Sequence, residues 1–246
     1  MTDLIGFHSI RECLRVSPRR ARCLYMVRGR RDSRVYELIV LAKEKKIRYQ
    51  TVEPGWFSKR QVVGNHQNVL LDCHEISVDS EAELKEKWLD FQDDVRVLVL
   101  DGIEDPHNLG ACLRSANGAG VAVVVIPKRR SAPLSEAAMR VAQGGNEGLC
   151  IVEVVNLARF LDWLKSKGVK VFGASHEAST CWTTADFLGP IAIVLGNEQR
   201  GLRRLTKEKC DELIRIDMEG SISSLNVSVA CGVLLFEALR QRKLRA

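Results

Sequence analysis

Unbroken apolar runs, rather than strict alternation, mark the second part of the chain. Val95–Asp101, Val121–Ile126, Val169–Ala174 and Ile191–Gly196 are short runs rich in β-branched residues. Runs of this kind suit strands buried on both faces of a parallel sheet. Between them the apolar positions recur at helical spacing, at Leu109–Ala119, Ser135–Gln143 and Leu157–Lys167. A long helix with a wide apolar face is predicted over Leu225–Arg242, its basic C-terminal end suiting the helix dipole. Before residue 75 the alternation is less regular. Arg22–Val27, Arg48–Val52 and Asn68–Cys73 read as strands, and Tyr36–Lys46 as a helix.

Composition separates these two stretches. Glu75–Asp94 carries eight acidic residues and two lysines, with no Gly or Pro, and reads as a charged, partly helical linker. The pattern predicts two α/β domains, residues 1–74 and 95–246, the second with a mostly parallel sheet. No internal repeat is visible.

With 246 residues and 46 % apolar positions the chain is long enough for one large core or two small ones. No apolar run approaches the ~20 residues of a membrane helix. Met1–Arg15 has no signal-peptide core, so a cytoplasmic location without a membrane is expected. The eight cysteines are scattered at intervals of ten residues or more, without CxxC or zinc-finger spacing. They are expected to be small buried residues in a reducing compartment, and no metal is implied.

The net charge of +6 is unevenly spread. Arg11–Arg60 holds fifteen Lys/Arg against five Asp/Glu, a balance of +10, and the remainder of the chain is at −4. The densest clusters contain Arg19, Arg20 and Arg22, and then Arg28, Arg30 and Arg31. A concentrated positive field attracts a polyanion, whereas a solvated basic face serves solubility only. Confinement to one fifth of the chain favours nucleic acid, with Arg19, Arg20, Arg22, Arg30 and Arg31 as candidate contacts.

The usual nucleotide and hydrolase signatures are missing. No GxGxxG, GxxxxGK[ST], HExxH or GxSxG occurs, and the five histidines are dispersed. Three loop segments stand out instead. The first runs from Asp105 to Ala116, with Asn108 as a candidate N-cap and Arg114 inside the helix. It is either a capped helix with an exposed arginine or a donor fork for phosphate. The second, Gly196 to Leu202, sets two glycines around Glu198 at the end of a buried strand, which is a plain turn or a ligand loop. The third, Ile216 to Ser228, has more serines and asparagines than one helix cap needs.

Together these segments resemble the SpoU (TrmH-like) branch of the SPOUT RNA methyltransferases. The motif N-L-G-A-x-x-R-x-A matches Asn108–Ala116, G-x-E-x-x-G matches Gly196, Glu198 and Gly201, and S-L-N-V-S-x-A matches Ser224–Ala230. The opening Gly6-Phe7-His8-Ser9-Ile10 and the pair His66-Gln67 resemble the bacterial members that methylate a guanosine 2′-hydroxyl in 23S ribosomal RNA. Two departures are Asn68, where Gly is usual, and Val141–Gly145, where Ser is common.

The resemblance implies an L30-like RNA-binding N-terminal domain and an α/β catalytic domain with a C-terminal trefoil knot. It implies S-adenosylmethionine bound by backbone groups of Leu195, Gly196, Ile216 and Leu225, and a homodimer. It implies catalytic parts for Asn108, Arg114, Glu198, Ser224 and Asn226. Arginine is a poor base, so Arg114 is expected to clamp a phosphate and stabilise a forming alkoxide. Glu198 is expected to orient Asn108 and Arg114. The alternatives are a tRNA ribose methyltransferase of the same branch and a non-catalytic RNA-binding assembly factor.

Overall fold

The computed structural model describes residues 2–29, 32–62, 64–91 and 94–245. It forms two compact units, Met1–Ser77 and Val78–Ala246. Arg30 and Arg31, two of the candidate RNA contacts, lie outside the described residues.

The first unit runs β1 (Thr2–Ile5), α1 (Phe7–Val16), β2 (Ala21–Val27), α2 (Ser33–Glu44), β3 (Arg48–Val52), α3 (Trp56–Lys59) and β4 (Val69–Cys73). Its sheet has the order β1-β4-β2-β3. β4 is antiparallel to both neighbours and β2 is parallel to β3. The core joins Ile10 and Leu14 of α1, Leu38 and Ala42 of α2, and Leu24, Met26, Val69 and Leu71 of the sheet. On the other face Tyr25 stacks on Trp56, with ring centroids 4.6 Å apart.

The second unit runs β5 (Asp79–Ser80), α4 (Glu81–Glu86), β6 (Arg96–Asp101), α5 (Pro106–Gly118), β7 (Val123–Pro127), α6 (Glu136–Ala142), β8 (Cys150–Val154), α7 (Leu157–Ser166), β9 (Lys170–Ala174), β10 (Thr180–Cys181), β11 (Ile191–Gly196), α8 (Arg204–Lys209), β12 (Glu212–Arg215) and α9 (Val227–Arg245). The eight strands form one sheet in the order β10-β12-β9-β11-β6-β7-β8-β5. Every pairing in it is parallel. β6 and β7 are buried at every residue, which is why their sequences show apolar runs instead of alternation. Val97, Val99, Val123 and Val125 on one face pack with Phe160, Leu161 and Leu164 of α7. On the opposite face, α5 packs against α6 and α9, and α9 against β11.

The stretch expected to be a linker is mostly structured. Residues 74–78 lack regular structure, but β5 pairs with β8 at the sheet edge. Leu84 and Trp88 are buried in the same core as β6 and β7. Ser80 caps α4 through a capping box with Glu83. The helix fits the partly helical reading, but acidic composition hid its packing into the core, because only one side of so short a helix has to be apolar.

The strand order positions the site. From β6 the chain steps outward to β7 and β8, then crosses to the far side for β9. β11 fills the slot between β6 and β9. In an open parallel sheet, the carboxyl ends of strands at such a switch form the crevice where ligands bind. Here those ends are Asp101 of β6 and Gly196 of β11, which pair in register.

A candidate active site at the carboxyl ends of two central strands

Two loops leave these strand ends and are tied to each other. Asp101 is almost fully buried, and its carboxylate accepts from the Arg203 backbone N–H at 3.1 Å. The Arg203 Nε stands 3.4 Å from the other oxygen. Asn197 donates through Nδ2 to the Gly102 carbonyl at 3.0 Å. The Asn197 Oδ1 accepts from the N–H groups of Gln199 and Arg200, which shapes the loop after β11. Sequence reasoning missed Asp101, Asn197 and Arg203; a carboxylate or amide at the end of a buried strand is the only local signal they carry.

The glycines of this loop serve the chain's own backbone. Asn197 and Gly201 exchange backbone hydrogen bonds of 3.1 and 2.9 Å. This folds Gly201 and Leu202 over Gly196 so closely that a Cβ on Gly196 would lie 2.2 Å from the Gly201 carbonyl carbon. Gly201 adopts φ +63°, a left-handed conformation that favours glycine.

Asn108 is not the N-cap of its helix. α5 begins two residues earlier, where Asp105 accepts from the His107 N–H at 2.9 Å and Pro106 occupies the first turn. An Asp-Pro start meets both preferences of a helix N-terminus, an acceptor at the cap and a residue needing no donor after it. Asn108 is thereby released into the first turn with its side chain free for other partners.

Those partners come from the other two motifs. Asn108 Nδ2 donates to Glu198 Oε1 at 2.7 Å. Asn226 Nδ2 donates to Asn108 Oδ1 at 3.1 Å. Asn226 Oδ1 accepts from both the N–H and the hydroxyl of Ser228, at 2.9 and 2.6 Å. The direction of the chain follows from chemistry. A carboxylate oxygen accepts, so Asn108 turns its NH₂ to Glu198 and its oxygen to Asn226, which does the same toward Ser228. Residues 90 and 118 positions apart thus share one hydrogen-bonded relay.

Arg114 stands on the third turn of α5 with its guanidinium exposed, outside that relay. Its Nη1 donates to Gln143 Oε1 at 2.6 Å, not to Glu198. The expected orienting partner is therefore replaced by a residue of the Val141–Gly145 segment. Ser224 is exposed on the loop between β12 and α9, where it belongs to neither arrangement.

Backbone groups without a backbone partner gather at the end of β11 and in the loop after β12. β11 keeps its ladder with β6 through Gly196 but leaves β9 after Val194. Among the described residues, no backbone-to-backbone hydrogen bond engages 217–225. Ile216 and Leu225 are half-buried at the two ends of this loop, and Leu195 is buried. An irregular loop with unengaged amides and carbonyls, beside a strand end that has lost one neighbour, offers the polar backbone groups a nucleoside needs.

Two half-buried thiols, Cys150 and Cys210, lie outside this chemistry. Burial pushes Cys150 up to about 12, aided by Asp79, and burial likewise pushes Cys210 up to about 12 beside Asp211. Such thiols stay protonated near neutral pH and are poor nucleophiles. Among the described residues, no three His, Cys, Asp or Glu side chains form a group suited to a metal ion. No helix among them is long and apolar enough to cross a membrane.

In the basic stretch of the first unit, Arg20 donates through Nε and Nη2 to the His74 carbonyl, at 3.2 and 3.1 Å. Arg22 stands 3.8 Å from Asp72. Arg19 is exposed on the short 3₁₀ turn before β2.

Comparison with known proteins shows the family and the fold. The model of the SpoU rRNA Methylase family matches residues 96–236. That for RNA 2′-O ribose methyltransferase substrate binding matches residues 4–78. The chain is 44 % identical over 246 residues to the 23S rRNA (guanosine-2′-O-)-methyltransferase RlmB of Pseudomonas syringae pv. tomato, covering 98 % of this chain and 96 % of that protein. It is 42 % identical to the Yersinia pestis protein of the same description, over the whole of both chains. The crystal structure of the SpoU methyltransferase AviRb from Streptomyces viridochromogenes, in complex with AdoMet, shares the fold. Its TM-score is 0.78 at 22 % identity, with 98 % of this chain and 90 % of that one covered.

Proposed function

The chain belongs to the SpoU rRNA methylase family, and from that premise we propose that it methylates the 2′-hydroxyl of a guanosine in 23S ribosomal RNA, using S-adenosylmethionine. The observation that carries this reading is the relay Glu198–Asn108–Asn226–Ser228, which joins all three motifs at the carboxyl ends of β6 and β11. Relatives described as 23S rRNA guanosine 2′-O-methyltransferases, aligned over nearly the whole chain, supply the substrate.

When bound, S-adenosylmethionine supplies a sulfonium methyl group as the electrophile. Leu195, Gly196, Ile216 and Leu225 are the residues assigned to hold it. The end of β11 beyond β9 and the loop 217–225 provide unengaged backbone groups for it.

The protein's own work is positioning and charge. The ribose oxygen must approach the methyl carbon in line, so holding it in place supplies much of the acceleration. As its proton leaves, negative charge grows on that oxygen. A guanidinium keeps its proton in proteins, so Arg114 acts as a clamp and a counter-charge. Glu198 fixes the Asn108 amide, which in turn fixes Asn226. Ser224 and Asn226 are assigned to hold the ribose or the donor.

The first unit is assigned to RNA binding, as an L30-like module. The trefoil knot belongs to the same reading, with β11, which follows both in the chain, lying between β6 and β9. So does a homodimer. Val229 and Phe236 of α9 are half-exposed, and Phe236 lies near Gly118 of α5, so the two helices offer one apolar surface to a second copy. An rRNA substrate places the enzyme in the cytoplasm.

The test is methyl transfer from labelled S-adenosylmethionine to RNA from a strain lacking the gene. One new 2′-O-methylguanosine in 23S rRNA is expected. Methylation of tRNA alone would move the substrate. A folded protein that binds RNA but not S-adenosylmethionine would be a binding factor instead.

A further inference from the structure

β7 lies beside β6 in parallel register and ends at the same edge of the sheet as the candidate active site. It is followed directly by Lys128, Arg129 and Arg130, all exposed. This short loop is pinned at both ends. The Lys128 N–H donates to the Val154 carbonyl at 2.9 Å, and the Ala132 N–H donates to the Ile103 carbonyl at 2.7 Å. It therefore runs against the segment that leads from Asp101 into Asn108, and a Cβ on Gly102 would lie 3.4 Å from the Arg130 carbonyl oxygen. Arg130 holds φ +60°, a conformation unusual for a side chain of its size.

Many arginines of the first unit already have an acidic neighbour. There, Arg11, Arg15, Arg22, Arg28, Arg34 and Arg60 each stand within 4.0 Å of a carboxylate. Among the described residues, Lys128, Arg129 and Arg130 make no ion pair at all. The acidic side chains of the neighbouring segments are Glu104, Asp105, Glu136 and, on β8, Glu153, and Asp105 is occupied as the cap of α5. Cations without a local carboxylate are those that gain most from a phosphate and hold most counterions to release.

We propose that Lys128, Arg129 and Arg130 form a second RNA-binding site, on the catalytic unit itself, which grips phosphodiesters flanking the target ribose. This rests on the reading of the chain as an RNA methyltransferase. The site is sequence-independent, because lysine and arginine on a surface loop meet backbone phosphate without reading base edges. It complements the basic first unit by holding the strand where the chemistry takes place.

The experiment measures affinity for a 23S rRNA fragment against KCl concentration, with full-length protein. The variants are K128Q/R129Q/R130Q and the single Arg129→Glu, which leaves the Arg130 backbone untouched. K165Q/K167Q/K170Q, at the opposite end of the sheet, is the charge-matched control. Each phosphate that is no longer neutralised flattens the log–log slope by roughly 0.7 for single-stranded RNA. The triple variant is expected to flatten it by about 1.4–2, corresponding to two or three phosphates. Arg129→Glu is expected to weaken binding at low salt, and the control to run parallel to wild type. S-adenosylmethionine affinity should be unchanged in all. Parallel lines for the triple variant, or an equal flattening in the control, would overturn the proposal. Salt slopes need no turnover. A wild type that binds RNA but neither binds S-adenosylmethionine nor methylates RNA would instead refute the enzymatic reading.

Discussion

Arg114 of α5 donates to the side-chain oxygen of Gln143, the residue that caps α6, across 2.6 Å, and the two backbones come close together on either side of that bond. A Cβ on Gly145 would lie 2.6 Å from the Arg114 Cα, and one on Gly110 would lie 2.3 Å from the Ala138 carbonyl oxygen. Gln143 itself ends α6 at φ +49°. Arg114 is thus held by a rigid turn rather than by the acidic motif residue. Gln143→Gly suits the left-handed backbone but removes the bond. It should slow methylation roughly tenfold, about 1.4 kcal/mol, with unfolding temperature unchanged or raised. An unaltered rate in single-turnover assays would show that the bond does not position Arg114.

Arg114→Ala should cost on the order of a hundredfold or more in methyl transfer, as the loss of one charge-stabilising donor does elsewhere. Its side chain is exposed, so the fold should remain intact. Arg114→Lys should also be poor, because a point charge cannot copy the planar fork. Near-normal turnover by the lysine variant would sink the clamp.

Glu198→Ala should act through Asn108. Without its acceptor the Asn108 amide is free to turn, and Asn226 loses its fixed partner. Methylation should fall by one to two orders of magnitude, and adding Asn108→Ala should cost little more. A double-mutant cycle is the measurement, with a coupling of about 0.5–3 kcal/mol expected for residues in one network. Additive losses would mean that the relay does not work as a unit.

Gly196 and Gly201 should respond differently to alanine. At Gly196 the added Cβ meets backbone that cannot yield, and the expected loss of stability is about 1–3 kcal/mol or more. At Gly201 nothing lies within 4 Å, so only the left-handed backbone is penalised, by about 1–2 kcal/mol. Thermal unfolding of both variants, read beside calorimetry with S-adenosylmethionine, checks this. A fully stable Gly196→Ala would contradict the packing.

The first unit gives a salt-dependence test of its own. Arg19→Gln and Arg22→Gln, with Arg30→Gln and Arg31→Gln, should weaken RNA binding and flatten its salt slope without changing S-adenosylmethionine affinity. Arg20→Gln is best measured apart, since Arg20 also ties the 3₁₀ turn to the end of β4 through the His74 carbonyl. Lines parallel to wild type would return the basic stretch to a solubility role.

The strands at the centre of the second unit were legible in the sequence. Burial on both faces writes itself as an unbroken apolar run, and β6, β7 and β11 read that way directly. So did the three motifs, because each occupies a dozen consecutive residues or fewer. Weaker elements escaped. β12 is a four-residue strand with one fully buried position, and β5 is a two-residue strand in an acidic stretch whose partly helical character alone was legible. The pairings of the site belonged to the tertiary structure alone. Asn108 meets Glu198 and Asn226 only because β11 inserts beside β6 and α9 returns onto α5. Nothing in local spacing could announce that Arg114 reaches Gln143, or that Gly196 faces its own loop. Periodicity records which face of an element is buried. The partner of a polar side chain depends on strand order, which is set by the packing of segments far apart in the chain.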